Sequence, residues 1–436
     1  MWNARRLFAR LFPNAPANKA EGQARDYIDV CFQLAALLHD IGHCAFSHSI
    51  EGVSVGGKAL FPPLRELIAL WSKEEGISAE LKRRWGIVDK ELPKVAGHST
   101  HEEIGLLLVE ALFQDAEIVA YCEKQGLQPQ DIAQDVRAML TSKCPASNTL
   151  DRNLLALLGQ LSERKANSDD VRTRGDLLAT LRSFISGTLD VDRLDYLARD
   201  SHYTGTCYGK CDTEVLINGL SIGWSHDGRL RPALHERAVD ALYDMLWSRF
   251  QLFQQVLNHK TNVLLNAMLN RAVREAMGDD SVHLKPPQSL TGYIRFTDDL
   301  VMSAVFSHCA GGAGKTKAYG RALVHRILPR HLGVVERDPG RTVDEFHEEV
   351  EAAKAEVAAS LKIEANTVQE WEAKSEIFKN DAVMPWILPK ERYGIALPLK
   401  TYETTSRLYR SMASSGTGSI PLGMSIKAHL YEYNFE

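Results

Sequence analysis

Apolar residues recur at helical spacing along most of this chain. From Trp2 to Phe12, "WNARRLFARLF" sets Leu and Phe three and four apart between arginines, which predicts an amphipathic helix ended by Pro13 and Pro16. Residues 26–41, through "VCFQLAALL", predict a second, more apolar helix. Residues 52–97 interrupt the pattern with "GVSVGG", "FPPL" and the charged run "SKEEGISAELKRRW", and read as a loop-rich insertion with short helices. The helical period returns at "THEEIGLLLVEALF", with Thr100 as the expected N-cap and acids in the first turn. The polar run 163–176 is expected to be exposed. A helix follows through "LLATLRSFISGTLDVDRLDYLARD", with Gly187 as its candidate break.

"LSIGWSHDGRLRPAL" is the one clear β-hairpin, its Asp-Gly set between two short apolar-bearing runs. Residues 236–275 keep helical spacing without Gly or Pro and predict one long helix or two in succession. "AGGAGKTKAYG" (310–320) reads as a flexible joint, followed by an acidic, Ala-rich helix at 343–360 and a mixed tail. The acidic stretch 343–375 is expected to pack as an amphipathic helix rather than serve as a partner-binding tail. The expected class is mainly α, with a small β-hairpin. A main domain (1–310) carries the insertion at about 52–97, and 311–436 form a C-terminal helical or α(+β) extension.

Composition narrows the classes. At 44% hydrophobic and 25% charged, the chain has the profile of a soluble globular protein, and its net charge of −5 gives no global basic field for nucleic acid. The apolar runs are too short to span a bilayer, and the N-terminus lacks the apolar core of a signal peptide. Seven scattered cysteines, an odd number, fit a reduced cytoplasm. Cys207 and Cys211 lack a second pair to complete a zinc site. "GAGKT" resembles a phosphate-binding loop, but the glycine that motif needs five positions before Gly314 is Cys309.

The chemistry concentrates in "ALLHDIGHCAFSH" (36–48). His39 and His43 are four apart and would share a face of a helix, with Asp40 beside them. A helix ending near Gly42 would let the pair converge on one ion, and imidazole plus carboxylate suits a divalent metal. In "LDVDRLDYLARD" (189–200), Asp192, Tyr196 and Asp200 step along one helical face beside Arg193. That second pattern is equally a solvated charged face with Leu194, Leu197 and Ala198 turned inward.

Together, "HDIGHCAFSH" and "DVDRLDYLARD" resemble the HD-domain metal-dependent phosphohydrolases, in the branch of deoxynucleoside-triphosphate triphosphohydrolases that includes the sterile-alpha-motif/HD-domain protein family. "HEEIG" (101–105), "LYDMLWSRFQLFQQVLNHK" (242–260) and "YIRFTDDLV" (293–301) agree with that branch, and the resemblance runs from about residue 25 to 330. It implies an HD-domain helical bundle. It implies His39, Asp40 and Asp192 as ligands of one divalent metal, with Mg, Mn, Fe, Co, Ni and Zn not distinguished, and Mg²⁺ accompanying the nucleotide. His43, His48 and His101 would line the reaction centre, with Glu51 where the family has an Asp that orients a catalytic His. Arg193, Arg249 and Lys260 would meet phosphate oxygens, and Tyr196 and Asp200 would read the sugar. The implied substrates are deoxynucleoside triphosphates, and the implied assembly is a homo-oligomer in the cytoplasm, with neither membrane nor nucleic acid as partner.

The family holds its metal through His…His-Asp…Asp, and the first His normally lies some 35–40 residues before the HD pair. No His precedes His39 here. The expectation is that the reading frame begins further upstream. If Met1 is the true start, three protein ligands remain, and a lost ligand costs more than the ~10–100-fold in affinity typical of a lost supporting partner. The rival to an enzyme is therefore a nucleotide-binding sensor or assembly module with weak or no catalysis. The retained histidines favour the enzyme.

Overall fold

The computed structural model describes residues 1–93, 97–161, 170–279, 284–310, 318–337, 342–364, 367–376, 386–389, 395–396 and 424–432. The fold is mainly α, built around the helix Lys19–Leu38. This helix begins earlier than its apolar run suggests because the Asn18 side chain accepts the Glu21 amide at 3.0 Å. Tyr27, Ile28, Cys31, Phe32 and Ala35 form its buried stripe, against Pro129–Leu140 and Asn148–Leu161. The amphipathic helix Trp2–Leu11 covers one end through Leu7 and Phe8, which are fully or almost fully buried. Lys19–Leu38 stops at Leu38 rather than 41, and His39 is its C-cap.

The insertion contains Leu64–Trp71 and Ala79–Glu91 and packs on the helix His101–Leu112. Trp71 meets Trp85 edge-on at 5.9 Å, and the Trp85 indole donates to the Leu107 carbonyl. Arg84 clasps Glu110 with two bonds of 2.8 and 3.0 Å, and Arg137 approaches the same carboxylate to 2.6 Å. Two guanidinium groups face the fully buried Glu110 carboxylate and offset the cost of desolvating it. The helix that begins at His101 is thereby locked to the insertion and to Pro129–Leu140.

The candidate break at Gly187 and the two-helix alternative for 236–275 are both realised, whereas the helical reading of 343–375 holds only as far as Leu361. The segment around Gly187 is two helices, Asp170–Ile185 and Val191–Thr204. A Cβ at Gly187 would sit 2.2 Å from the Ser183 carbonyl oxygen, and Asp190 caps the next helix by accepting the Gly187 and Arg193 amides, both at 2.7 Å. Residues 236–275 resolve into Val239–Leu252 and Lys260–Met277, joined by a π-helical turn at Phe253–Leu257, which no periodicity announces. The acidic helix ends at Leu361, because Lys362 turns left-handed, and a strand follows at Val368–Glu376.

The Asp-Gly hairpin is present as Leu220–Ser225 and Leu230–His235, with Ile222 opposite Pro232. Trp386–Leu388 and Ile395–Ala396 flank it in parallel, forming a four-stranded sheet. A second, two-residue hairpin turn lies inside "GVSVGG", where Gly56 and Gly57 adopt positive φ of 57° and 77°. In the C-terminal part, Met424–Glu432 pairs on both sides with Arg330–Glu336 and Val368–Glu376, and Val343–Leu361 covers this sheet through Phe346 and Val350. Tyr431 ties the sheet to the main body by donating to the Lys260 carbonyl at 2.5 Å. Of the joint expected at 310–320, residues 311–317 lie outside the described residues, as do 162–169, which take in the whole first half of the polar run. Among the described residues, no helix is long and apolar enough to cross a membrane.

His429 lies buried in the central strand of that sheet, its Nδ1 3.4 Å from His331 Nε2. Burial, then the nearby charges of His331, Lys427, His259 and Lys260, push its pKa down to about 4. Unfolded histidine takes up a proton near pH 6.5. The stability this neutral ring contributes is therefore present above that pH and is lost as pH falls from about 6.5 to 4. In thermal melts across that window, wild type should lose stability relative to His429→Leu as pH falls; parallel curves would contradict this assignment.

Candidate active site

The end of Lys19–Leu38 and the start of Val191–Thr204 bring one imidazole and two carboxylates together. His39 Nε2 lies 3.2 Å from Asp40 Oδ2 and 3.3 Å from Asp192 Oδ1. The other ring nitrogen, Nδ1, lies 3.1 Å from the Ala36 carbonyl. A carbonyl only accepts, so Nδ1 carries the hydrogen and Nε2 is the nitrogen left for a second proton or a cation. That Nε2 is buried and makes no well-directed hydrogen bond. Burial alone would lower the pKa of His39, but Asp192 and Asp40 outweigh it and lift it to about 10; the same contact with His39 lowers that of Asp40. The pocket favours positive charge, and its donor set, with ligand atoms within 4.8 Å of one another, fits a divalent cation.

A second cluster adjoins the first through Asp40, whose Oδ1 lies 3.6 Å from His43 Nε2. Because the helix ends at Leu38, His43 does not share a helical face with His39. It leaves the first group and stacks on His101, with ring centroids 3.9 Å apart and planes 11° from parallel. His48 stands edge-on to both rings at 4.8 Å. These three imidazoles also lie close enough together to suggest a metal site. A ring nitrogen's lone pair lies in the ring plane, however, so two nearly parallel stacked rings do not aim at one ion about 2 Å away. The trio is suited to hydrogen bonding and proton transfer instead.

Glu51 organises this trio. Its Oε1 accepts the His101 backbone amide at 2.6 Å and lies 3.1 Å from His101 Nδ1, while Oε2 lies 3.1 Å from His48 Nδ1. Burial would raise the pKa of Glu51, but the hydrogen bonds and charge of its histidine neighbours outweigh it and hold it below the usual range. Its carboxylate also sits at the N-terminus of His101–Leu112, where the helix dipole favours negative charge. The side chain of His48 is 70% exposed, and its Nδ1 side is the one turned to Glu51.

Along Val191–Thr204, Asp192, Tyr196 and Asp200 form one half-buried line. The Tyr196 hydroxyl accepts from Arg249 Nε at 3.3 Å, and the Arg249 guanidinium lies over Phe253 at the start of the π-helical turn. Arg193 points inward and donates to the Thr188 carbonyl at 2.8 Å. Burial lowers the pKa of Arg193, and the charge of Arg249 adds to that effect. The charge of Asp190, 3.8 Å from the Arg193 guanidinium, opposes both effects. Lys260 stands apart, exposed at the start of Lys260–Met277, with its charge acting on His331 and His429.

Three partners of this site had no role in the residue pattern. Ser47 Oγ lies 2.9 Å from His43 Nδ1. Tyr293 and Asp298 reach the loop bearing His43 from far along the chain. Their signal was the block "YIRFTDDLV", visible as a motif but without a role.

No protein-family model matches the chain. The uncharacterized protein MJ1154 of Methanocaldococcus jannaschii is 25% identical over 34% of this chain and 35% of that protein. The human deoxynucleoside triphosphate triphosphohydrolase SAMHD1 is 23% identical over 64% of this chain and 38% of its own length. The chain thus spans about a third of each of these two curated relatives. A crystal structure of a phosphohydrolase from Bacteroides thetaiotaomicron superposes with a TM-score of 0.57 at 17% identity, covering 99% of this chain and 85% of that one. The chain is thus similar in sequence to a deoxynucleoside triphosphate triphosphohydrolase and shares the fold of the Bacteroides phosphohydrolase.

The loop bearing His43 is seated on the helix bearing His101 through a backbone-to-backbone contact. A Cβ at Gly42 would lie 2.0 Å from the His101 carbonyl oxygen and 2.4 Å from the Gly105 nitrogen, whereas one at Gly105 would meet nothing closer than 3.5 Å. Gly42→Ala should therefore cost about 2–3 kcal/mol in urea unfolding, while Gly105→Ala should be tolerated within about 1 kcal/mol because alanine also favours the helix. Equal stability of the two variants would contradict the contact.

Proposed function

We propose that this chain is a metal-dependent phosphohydrolase of nucleotides that converts a deoxynucleoside triphosphate and water into a deoxynucleoside and triphosphate. The observation that carries the reading is the buried His39 Nε2, without a well-directed hydrogen bond, set between Asp40 and Asp192 beside a cluster of three histidines. His39, Asp40 and Asp192 would hold a divalent ion, which supplies a lowered pKa for water and polarises a phosphoryl oxygen. Three protein donors leave coordination positions for substrate and water.

The remaining steps belong to the chain's own side chains. Arg249 and Arg193 receive phosphate oxygens, which guanidinium groups grip in pairs. Water attacks the α-phosphorus, forming one P–O bond as the bond to the 5′-oxygen breaks. His48, exposed and backed by Glu51 at Nδ1, delivers a proton to that departing oxygen. His43 and His101 form a stacked wall behind it. Tyr196 and Asp200 continue the line from Asp192 and contact the sugar, with the Asp200 carboxylate accepting from a 3′-hydroxyl.

The test is release of triphosphate from dGTP, dATP, dCTP and dTTP with Mg²⁺, Mn²⁺ or Co²⁺. Wild type should turn over at least one of them. Asp192→Asn should lose at least about 100-fold in kcat/KM, and His48→Ala about 10²–10⁴-fold, the usual contribution of a positioned proton donor. Nucleotide binding without release under every metal would favour the sensor reading instead.

A further inference from the structure

The loop from Gly42 to Ser47, which places His43 and leads into His48, is gripped from outside by a segment that the proposed mechanism leaves unused. The buried Tyr293 hydroxyl donates to the Gly42 carbonyl at 2.5 Å. Asp298 Oδ1 accepts the Phe46 amide at 2.9 Å. Beside the second of these anchors the backbone is strained. Phe46 and Ser47 have φ of 52° and 50°, a left-handed region that bulky L-residues avoid. Ser47 also has ψ of −132°, away from the ordinary left-handed helical well. The strained turn sets two catalytic candidates at once, because Ser47 Oγ meets His43 Nδ1 and Ser47 precedes the short helix that begins at His48.

We propose that Asp298 is a positioning residue for the phosphohydrolase reaction: by accepting the Phe46 amide it holds the left-handed turn that aims His43 and His48, with Tyr293 securing the other end of the loop. This rests on the function proposed above. Asp298 also opens the helix Asp298–Ala310, where a negative charge suits the helix dipole. The two roles separate by substitution, because asparagine keeps the accepting oxygen and loses the charge, whereas alanine loses both. Asp298 is exposed, so neither change removes core packing.

The experiment uses the full chain and compares Asp298→Ala, Asp298→Asn and the neighbouring control Asp299→Ala. It reads kcat and KM for triphosphate release, thermal melting, and the crystal structure of Asp298→Ala. Asp298→Ala should lower kcat by about tenfold or more, on the scale that small misplacements of catalytic groups produce. KM should stay within about twofold, since the phosphate-facing arginines are untouched. Asp298→Asn should recover most of the rate, Asp299→Ala should match wild type, and Phe46 should leave positive φ in the alanine variant. Full kcat in Asp298→Ala, or equal losses in the alanine and asparagine variants, would overturn the proposal. If wild type hydrolyses no nucleotide, the functional reading fails by itself. The crystal structure then decides the positioning: an unchanged turn in Asp298→Ala overturns it, and a displaced turn upholds it.

Discussion

Two carboxylates and the buried nitrogen of a half-buried imidazole occupy one small volume between helix ends, and the site is arranged around that concentration of donor atoms. Such a group is costly to desolvate unless positive charge sits within it. The Ala36 carbonyl removes the simplest neutral escape by fixing the hydrogen on Nδ1. A proton or a cation must then serve Nε2. Everything else at the site depends on this requirement, from the abrupt end of Lys19–Leu38 at His39 to the Asp190 cap that places Asp192 in the first turn of its helix.

The second group of side chains answers a different need. Its three imidazoles gather around a carboxylate, Glu51, but have no common focus, because two of the rings are stacked. This divides the labour between a charge-holding pocket and a proton-handling one, joined by the two oxygens of Asp40. Rigidity comes from the body of the fold: the Arg84–Glu110–Arg137 network holds the helix of His101, and the Gly42 contact seats the loop of His43 on it.

Much of this was legible in residue patterns, and the reasons are local. Thr100 caps the helix that its position before two acids implies, Asp227 and Gly228 mark the turn of the hairpin, and the amphipathic stripe of Trp2–Leu11 ends just before Pro13. The pairing of Asp192 with His39 was legible only through family resemblance, since periodicity alone left Asp192 on a plain charged face. Three things were not legible. The break at Phe253–Leu257 has no Gly or Pro to mark it, the stacking of His43 on His101 requires the tertiary seat at Gly42, and the grip of Tyr293 and Asp298 joins segments whose separation in sequence carries no local signal.

The most direct test of the central claim is anomalous diffraction from crystals of the full chain grown with Mn²⁺. One strong peak per chain is expected, about 2 Å from His39 Nε2 and within bonding reach of Asp40 and Asp192. A peak among His43, His48 and His101 instead, or no peak at His39 with millimolar Mn²⁺ present, would contradict it.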